Sequence, residues 1–257
     1  MSEPILVTER RGHVVVLRLN RPDVRNALSA DLIGQLGLAL LDAERDAEIR
    51  CAVLTGTGEK AFCAGLDLKD FAASGTPNPD PEGGAAFQRL LRGDVEVPFV
   101  GAANGAAVAG GFELLLGCDV VVAAEEATFG LPEVKRGLFA PFGSVVAGSR
   151  IPRAVALELT LTGDPIDASR ALALGLVNQV VHRDGVLDAA IELAERIAGN
   201  APLAVQATRD VVRLASTDAP AAWERQGEWV PKVFGSNDAR EGASAFVERR
   251  APVWTGT

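Results

Sequence analysis

The chain has 257 residues, of which 48% are hydrophobic, so it is long enough to bury a large core. Its 34 acidic residues outnumber its 25 basic ones; the resulting net charge of −9 argues against nucleic acid as the main partner. An anionic ligand could still bind through backbone N–H groups and a few basic side chains. The two histidines, His13 and His182, are far apart in the sequence, which argues against a His-based catalytic triad and a His-rich metal site.

The sequence predicts a cytoplasmic protein without a membrane segment. Residues 1–14 lack the apolar core of a signal peptide. The longest apolar stretch is interrupted by Pro98, Asn104 and Glu113, so no run approaches the roughly 18 apolar residues that span a bilayer. Three widely spaced cysteines, an odd number, indicate reduced thiols.

Apolar periodicity predicts strands alternating with helices, followed by a helical end segment. The predicted strands are residues 13–19, 51–55, 99–103, 120–124 and 176–181. The predicted helices are about 30–47 (capped by Ser29), 68–73, 85–95, 112–116, 144–149, 153–161, 167–173, 185–198, 202–215, 219–229 and 238–249. This alternation favours parallel strands joined by helices.

Residues 74–84 contain three prolines and three glycines, which predicts a flexible surface loop that could cover a site. At the other end of the chain, all three tryptophans and two phenylalanines lie in the last 35 residues. These aromatic residues could pack against a neighbouring subunit or against the chain's own core, and both interpretations remain open.

The stretch from Asn104 to Glu133 contains the first candidate site. Small residues that include Gly110 lead into an apolar helix with Glu113 in its first turn, and Glu133 follows a proline at the start of a loop. Carboxylates in apolar surroundings can have raised pKa values and can exchange protons with a substrate. The alternatives are that Glu113 only complements the helix dipole and that Glu133 is solvated.

Residues 61–69 form the second candidate segment. Small residues and Gly65 precede Asp67, which is predicted to cap a helix from Leu68. A backbone N–H from this segment could converge with one near Gly110 on a developing oxyanion. The alternative is a tightly packed turn between a strand and a helix. Cys63 has no histidine nearby in the sequence, so we expect a buried thiol and not a nucleophile.

Six segments, in order, resemble those of the crotonase (enoyl-CoA hydratase/isomerase) superfamily. They are LNRPDVRNALS at 19–29, AFCAGLDLK at 61–69, NGAAVAGGFEL at 104–114, CDVVVA at 118–123, FGLPEVKRGL at 129–138 and TGDPIDASRALALGLVN at 162–178. The resemblance implies an α/β fold in which repeated ββα units form a spiral over residues 1–198. It also implies a helical oligomerisation region over residues 199–257, forming a homotrimer or a hexamer built as a dimer of trimers.

The resemblance further implies an acyl-CoA thioester as substrate. By position, the N–H groups of Leu66 and Gly110 form the oxyanion hole, and Glu113 and Glu133 are the catalytic base and acid, respectively. The substrate-binding positions are Arg25, facing a CoA phosphate, together with Ala64, Leu66, Asp67, Leu68, Pro141 and Phe142. No metal and no separate cofactor are implied, because coenzyme A is part of the substrate.

Residues 141 and 142 depart from the family pattern. A glycine N–H that often helps to hold the reacting water is replaced by Pro141, which has no N–H to donate. Phe142 is expected to narrow the acyl pocket, and Leu66 adds bulk where alanine is common. Three readings follow: an enoyl-CoA hydratase or dehydratase, another acyl-CoA enzyme of this fold (an isomerase, hydrolase or decarboxylase), or a catalytically silent acyl-CoA binding protein.

Overall fold

Residues 3–257, the part of the chain that the computed structural model describes, form ten strands and eleven helices. The strands are β1 (Leu6–Arg11), β2 (Val14–Leu19), β3 (Cys51–Gly56), β4 (Ala61–Cys63), β5 (Phe99–Ala103), β6 (Ala106–Val108), β7 (Val120–Ala124), β8 (Thr128–Gly130), β9 (Ile166–Asp167) and β10 (Gln179–Val181). The helices are α1 (Ala30–Arg45), α2 (Leu68–Ser74), α3 (Pro81–Arg92), α4 (Gly110–Gly117), α5 (Gly143–Arg150), α6 (Arg153–Thr162), α7 (Ala168–Ala173), α8 (Val186–Ala198), α9 (Pro202–Ala215), α10 (Ala219–Phe234) and α11 (Asn237–Glu248). Residues 1 and 2 lie outside the described part. They are the first residues of the predicted core domain and of the stretch 1–14, which is expected to lack a signal peptide.

The strands form two sheets, and from β3 to β8 successive strands alternate between them. The six-stranded sheet has the order β1-β2-β3-β5-β7-β10, and the four-stranded sheet has the order β4-β6-β8-β9. All pairings are parallel except β1 with β2 and β8 with β9. Each turn of the chain therefore places one strand in each sheet before a helix follows, which is the predicted spiral of ββα units. Helices connect the parallel strands, as the alternation predicted.

Several local predictions are confirmed. Ser29 accepts a hydrogen bond from Leu32 N at the start of α1, and Asp67 caps α2 by accepting one from Lys69 N. β3 and β5 are buried along their whole length, which explains the continuous apolar runs in the sequence. α10 extends past its predicted end at 229 and continues through Pro231 to Phe234.

The loop predicted at 74–84 is shorter than expected, because α3 begins at Pro81 and not near residue 85. Asp80 caps this helix by accepting a hydrogen bond from Gly83 N. A Cβ atom built on Gly83 would lie 2.2 Å from Gly34 O in α1. The glycine therefore permits close packing of two helices, whereas the sequence had indicated loop flexibility.

The chain divides into two compact units, one ending at Ala194 and the other comprising Glu195–Thr257. The predicted boundary at residue 198 lies in the same helix, α8. In the second unit, Asp238 is 3% exposed and accepts hydrogen bonds from Thr255 N and Gly256 N. Three of its aromatic side chains are mostly exposed: Trp223, Phe234 and Phe246. Among the helices described, none is both long and apolar enough to cross a membrane.

Candidate active site

The two glycine-containing segments meet because β4 and β6 are parallel neighbours. Ala61 pairs with Ala106 and Cys63 with Ala107, so the segments that leave these strands lie side by side. Gly65 has a φ of +82°, and a Cβ built on it would lie 3.0 Å from Gly110 N. Leu66 follows Gly65 directly, so its amide lies at the same corner as that of Gly110. The structure thus brings together the two residues predicted to form an oxyanion hole.

The Leu66 N–H points away from the chain segment that holds it. Leu66 forms a parallel bridge with Leu28, in which Leu28 N donates to Gly65 O (2.8 Å) and Asp67 N donates to Leu28 O (3.1 Å). In a parallel bridge, the N–H of the bridged residue faces the opposite side. Within residues 3–257, neither Leu66 N–H nor Gly110 N–H donates a hydrogen bond. Both donors are therefore free to bind a ligand.

The strained backbone of Ala109 sets the orientation of the Gly110 N–H. Ala109, the residue before α4, has φ 53° and ψ −129°, a conformation that glycine adopts far more readily. Such a conformation costs on the order of 1–3 kcal/mol. It turns the chain abruptly into α4, so the Gly110 N–H lies at the positive end of the helix dipole.

Glu113 lies one turn into α4 and is only 6% exposed. Its Oε1 accepts hydrogen bonds from Phe142 N (3.1 Å) and Gly143 N (2.7 Å). Burial raises the pKa of Glu113 above its ordinary value of 4.5, and these two hydrogen bonds partly oppose that rise. Its Oε2 would lie 3.9 Å from a Cβ built on Gly110, so this second oxygen lies close to one of the two residues with a free amide.

Glu133 lies in a 3-10 turn, Pro132–Arg136, and is half-buried. Within the described residues, its Oε2 is buried and has no hydrogen-bond partner. Burial is the main cause that raises its pKa above 4.5; the charge of Glu113 raises it further, whereas its own backbone N–H and Arg136 lower it. The Glu113 carboxyl is therefore close enough to influence the titration of Glu133, and the site contains a buried oxygen able to bond a ligand.

Pro141 has no N–H, but the two residues that follow it donate theirs to the site. Both N–H groups donate to Glu113. The sequence did not single out the amide of Gly143, which makes the shorter of these bonds. The Phe142 side chain is half-buried, and the guanidinium carbon of Arg92 lies 5.8 Å from the centre of its ring. Phe142 thus contributes its backbone to Glu113 and its ring to the surroundings of the site.

A cavity of about 430 Å³, here called the basic cavity, borders β4 and β6, the strands that lead to the segments with the free amides. It is lined by Arg25, Lys60, Arg183, Glu59, Ala61, Ala64, Ala106 and Val108. Arg183 was not identified from the sequence. Its Nε is buried without a partner among the described residues, and its Nη2 lies 3.6 Å from Glu126. Three cations around one cavity favour an anionic ligand in a chain that is acidic overall.

Two of the predicted substrate-binding residues differ in their surroundings. Leu68 is 44% exposed at the start of α2. Asp67 is only 8% exposed. Its carboxylate already forms an ion pair with Arg21, whose Nη2 lies 3.1 Å from Oδ2. Sequence reasoning missed Arg21, although it belongs to the LNRP segment. The substrate-binding roles of Leu68 and Asp67 remain predictions.

Comparisons with known proteins find relatives over nearly the whole chain. The family model described as enoyl-CoA hydratase/isomerase matches residues 9–257. A carnitinyl-CoA dehydratase of Salmonella typhi is 39% identical, with both chains covered completely. The crystal structure of an enoyl-CoA hydratase from Mycobacterium tuberculosis H37Rv is 44% identical with a TM-score of 0.91, covering 99% of this chain and all of that one. A carnitinyl-CoA hydratase structure from Mycobacterium avium is 42% identical with a TM-score of 0.79, and both chains are covered completely.

Proposed function

Because the chain belongs to the enoyl-CoA hydratase/isomerase family, also called the crotonase superfamily, we propose that it is an enoyl-CoA hydratase. It would add water across the C2–C3 double bond of a 2-enoyl-CoA thioester. The observation that carries this proposal is the pair Glu113 and Glu133, two neighbouring carboxyls with raised pKa values, of which Glu113 lies close to Gly110 and its free amide. A hydration needs both a base and an acid, and this corner offers one of each.

The free amides of Leu66 and Gly110 would receive the thioester oxygen. Their N–H groups are fixed before substrate binds, by the Leu28 bridge and by the turn at Ala109 respectively. Donors that are already oriented stabilise the charge that develops on this oxygen in the transition state. Loss of one such donor typically raises the barrier by roughly 3 kcal/mol.

Glu113 is the better base of the two carboxyls. Its charged form is stabilised by the amides of Phe142 and Gly143, and its second oxygen remains available for water. Glu133 is the better acid, since burial and the charge of Glu113 both favour its protonated form. In the hydration step, Glu113 removes a proton from water as the water oxygen bonds to C3. The double-bond electrons move to form an enolate, and Glu133 delivers its proton to C2. A proton then passes from Glu113 to Glu133 and restores the starting state.

The basic cavity would hold the phosphate-bearing part of coenzyme A. Ala64 and Val108 line this cavity and also belong to the segments that lead to Leu66 and Gly110. A ligand could thus extend from the cations of Arg25 and Arg183 to the free amides. This continuity supports a CoA thioester as the substrate class, in agreement with the family to which the chain belongs.

A second candidate is carnitinyl-CoA dehydratase, because relatives with this name match the whole chain at 39% identity. Its substrate has a quaternary ammonium group at the end of the acyl chain. Such a cation prefers aromatic faces or carboxylates. In this chain the Arg92 guanidinium occupies one face of the Phe142 ring, and a second cation beside it would be repelled. This contact favours an uncharged acyl group.

The deciding experiment follows the conjugated thioester absorbance of crotonyl-CoA, of a longer 2-enoyl-CoA and of crotonobetainyl-CoA. We expect absorbance to be lost with the first two substrates. Turnover of crotonobetainyl-CoA alone would favour the second candidate. Gain of absorbance from a 3-enoyl-CoA, with no hydration, would identify an isomerase, and binding of CoA esters without any turnover would identify a silent binding protein.

We also propose that the chain forms a homotrimer, alone or paired into a hexamer. The support comes from the second unit, where Trp223, Phe234 and Phe246 are 74%, 78% and 85% exposed. Large exposed aromatic side chains in one unit are typical of a surface that a partner covers. Sedimentation equilibrium would give the mass of the assembly, and a monomer at all concentrations would contradict this proposal.

A further inference from the structure

The Arg21 guanidinium joins two chain segments beside the Leu66 amide. Its Nη2 lies 3.1 Å from Asp67 Oδ2, and its Nη1 donates to Ala27 O. The exposed fractions of the two side chains are only 20% for Arg21 and 11% for Asp67. The other Asp67 oxygen accepts a hydrogen bond from Lys69 N. One planar fork therefore binds the segment before Leu28 and the segment after Leu66.

These contacts lie next to the bridge that orients the Leu66 N–H. Ala27 precedes Leu28 and Asp67 follows Leu66, so Arg21 holds the immediate neighbour of each bridged residue. The bridge itself consists of two hydrogen bonds, Leu28 N to Gly65 O and Asp67 N to Leu28 O. If Asp67 moved, the second bond would lengthen and the Leu66 N–H would change direction.

Asn26 fixes the backbone from which Arg21 extends. Asn26 is fully buried, and its Nδ2 contacts the carbonyl oxygens of Thr57, Ala61 and Phe62 at 3.0–3.1 Å. Its Oδ1 accepts a hydrogen bond from Arg21 N (2.9 Å). The Arg21 side chain therefore begins from a backbone that Asn26 anchors to β4.

We propose that Arg21 and Asp67 are positioning residues for the oxyanion hole, and that their ion pair sets the direction of the Leu66 N–H. This inference rests on the proposed function of the Leu66 and Gly110 amides. A mostly buried ion pair contributes little net stability, because desolvation offsets the attraction between its charges. A guanidinium fork does impose orientation on its acceptors. The pair should therefore affect geometry at the thioester oxygen more than the stability of the fold.

Two conservative substitutions test the pair. Arg21→Lys keeps the charge but cannot bond Ala27 O and Asp67 Oδ2 in the same fork geometry. Asp67→Asn keeps the size and the contact with Lys69 N but removes the charge. We expect kcat for crotonyl-CoA to fall about 30-fold to 100-fold in each, since small misplacements near reacting atoms have effects of this size. KM should change less than about threefold, because the substrate's distant contacts are intact. Arg45→Lys is the matched control, because Arg45 forms an exposed pair with Glu82.

A spectroscopic measurement separates orientation from folding and does not depend on turnover. The ligand is butyryl-CoA labelled with ¹³C at its thioester carbonyl, which has no double bond to hydrate. Its C=O stretching frequency falls when N–H groups donate hydrogen bonds to the carbonyl oxygen. We expect wild-type protein and Arg45→Lys to lower this frequency equally. Arg21→Lys and Asp67→Asn should lower it clearly less while still binding butyryl-CoA.

The possible outcomes are distinguishable. If the wild type lowers the frequency but does not hydrate any enoyl-CoA, the proposed reaction is wrong and the positioning role is still tested by the two variants. If the variants keep the full lowering in their folded fraction, Arg21 and Asp67 have only a structural role and the inference is overturned. If the wild type does not lower the C=O stretching frequency, the inference is overturned as well.

Discussion

Glu113 and Glu133 carry the same side chain in two unlike settings. Glu113 projects from a helix, is almost completely buried, and has one oxygen held by two backbone amides. Glu133 projects from a short 3-10 turn, is half-buried, and has a buried oxygen without a partner in the described residues. Burial raises both pKa values, but only at Glu113 do amides from another segment favour the charged form. The comparison shows how neighbouring backbone, and not residue type, distinguishes the two carboxyls, to which we have assigned the proposed roles of base and acid.

The largest expected effect comes from removing either carboxyl. Glu113→Gln and Glu133→Gln keep the size of the side chain but cannot exchange a proton, so each should lower kcat for crotonyl-CoA about 10³-fold. Stopped-flow and long-incubation assays would cover this range. Glu48→Gln, a change at an exposed position, serves as the control. If only one of the two variants lost activity, the reaction would need only one carboxyl. That result would favour an isomerase over a hydratase.

The second largest effect is expected from removing one of the two amide hydrogen bonds that Glu113 accepts and that distinguish it from Glu133. Phe142→Pro removes the N–H that donates to Glu113 at a residue whose φ of −92° is near the range of proline. Loss of this bond should raise the pKa of Glu113 further and move the acidic limb of kcat/KM to higher pH, with about tenfold lower activity at neutral pH.

Phe142→Ala is the matched control, because it removes the same ring but keeps the N–H. Its acidic limb should stay where it is in the wild type. Its activity on longer 2-enoyl-CoA substrates should rise relative to crotonyl-CoA if the ring narrows the acyl pocket. Equal displacement of the acidic limb in both variants would show that the amide of residue 142 does not set the pKa of Glu113.

A smaller effect is expected in the basic cavity, away from the carboxyls. Arg183→Gln should raise KM about fivefold to tenfold for crotonyl-CoA, with little change in kcat, because a charged contact to phosphate contributes to binding only. The thioester of pantetheine, which has no phosphate, should show no difference between variant and wild type. Arg170→Gln, at an exposed arginine paired with Glu158, is the control. An equal loss on both substrates would show that Arg183 does not contact the phosphate end.

The smallest effect is on the pH dependence of stability. Both carboxyls have raised pKa values in the folded state, so between pH 4.5 and those raised values the folded state binds more protons than the unfolded state. Their contribution to stability is greatest below pH 4.5 and is lost as pH rises through the raised pKa values. Glu113→Gln should therefore increase Tm by a few degrees relative to wild type at pH 8 and change it less at pH 4. Thermal unfolding at both pH values measures this difference, and a variant less stable at pH 8 would contradict it.

Much of the fold was predictable because its signals are local. The apolar runs of β3 and β5, the Ser29 and Asp67 caps and the position of Glu113 in the first turn of its helix depend on neighbours within a few residues. The three-residue strands β4, β6 and β8 were not predicted, since so short a segment has no periodicity to detect. Gly83 of α3 was misread as a sign of a loop, because it permits close contact with α1, a helix distant in sequence.

The sequence by itself determined the types of side chain available for chemistry, the order of the main strands and helices, and the family to which the chain is similar. Only the tertiary structure decided which groups meet. The Gly143 amide reaches Glu113 across 30 positions, and Arg21 reaches Asp67 across 46. The physical reason is that caps and apolar periodicity are written in neighbouring residues, whereas hydrogen bonds between distant segments exist only after parallel strands have brought those segments to one corner.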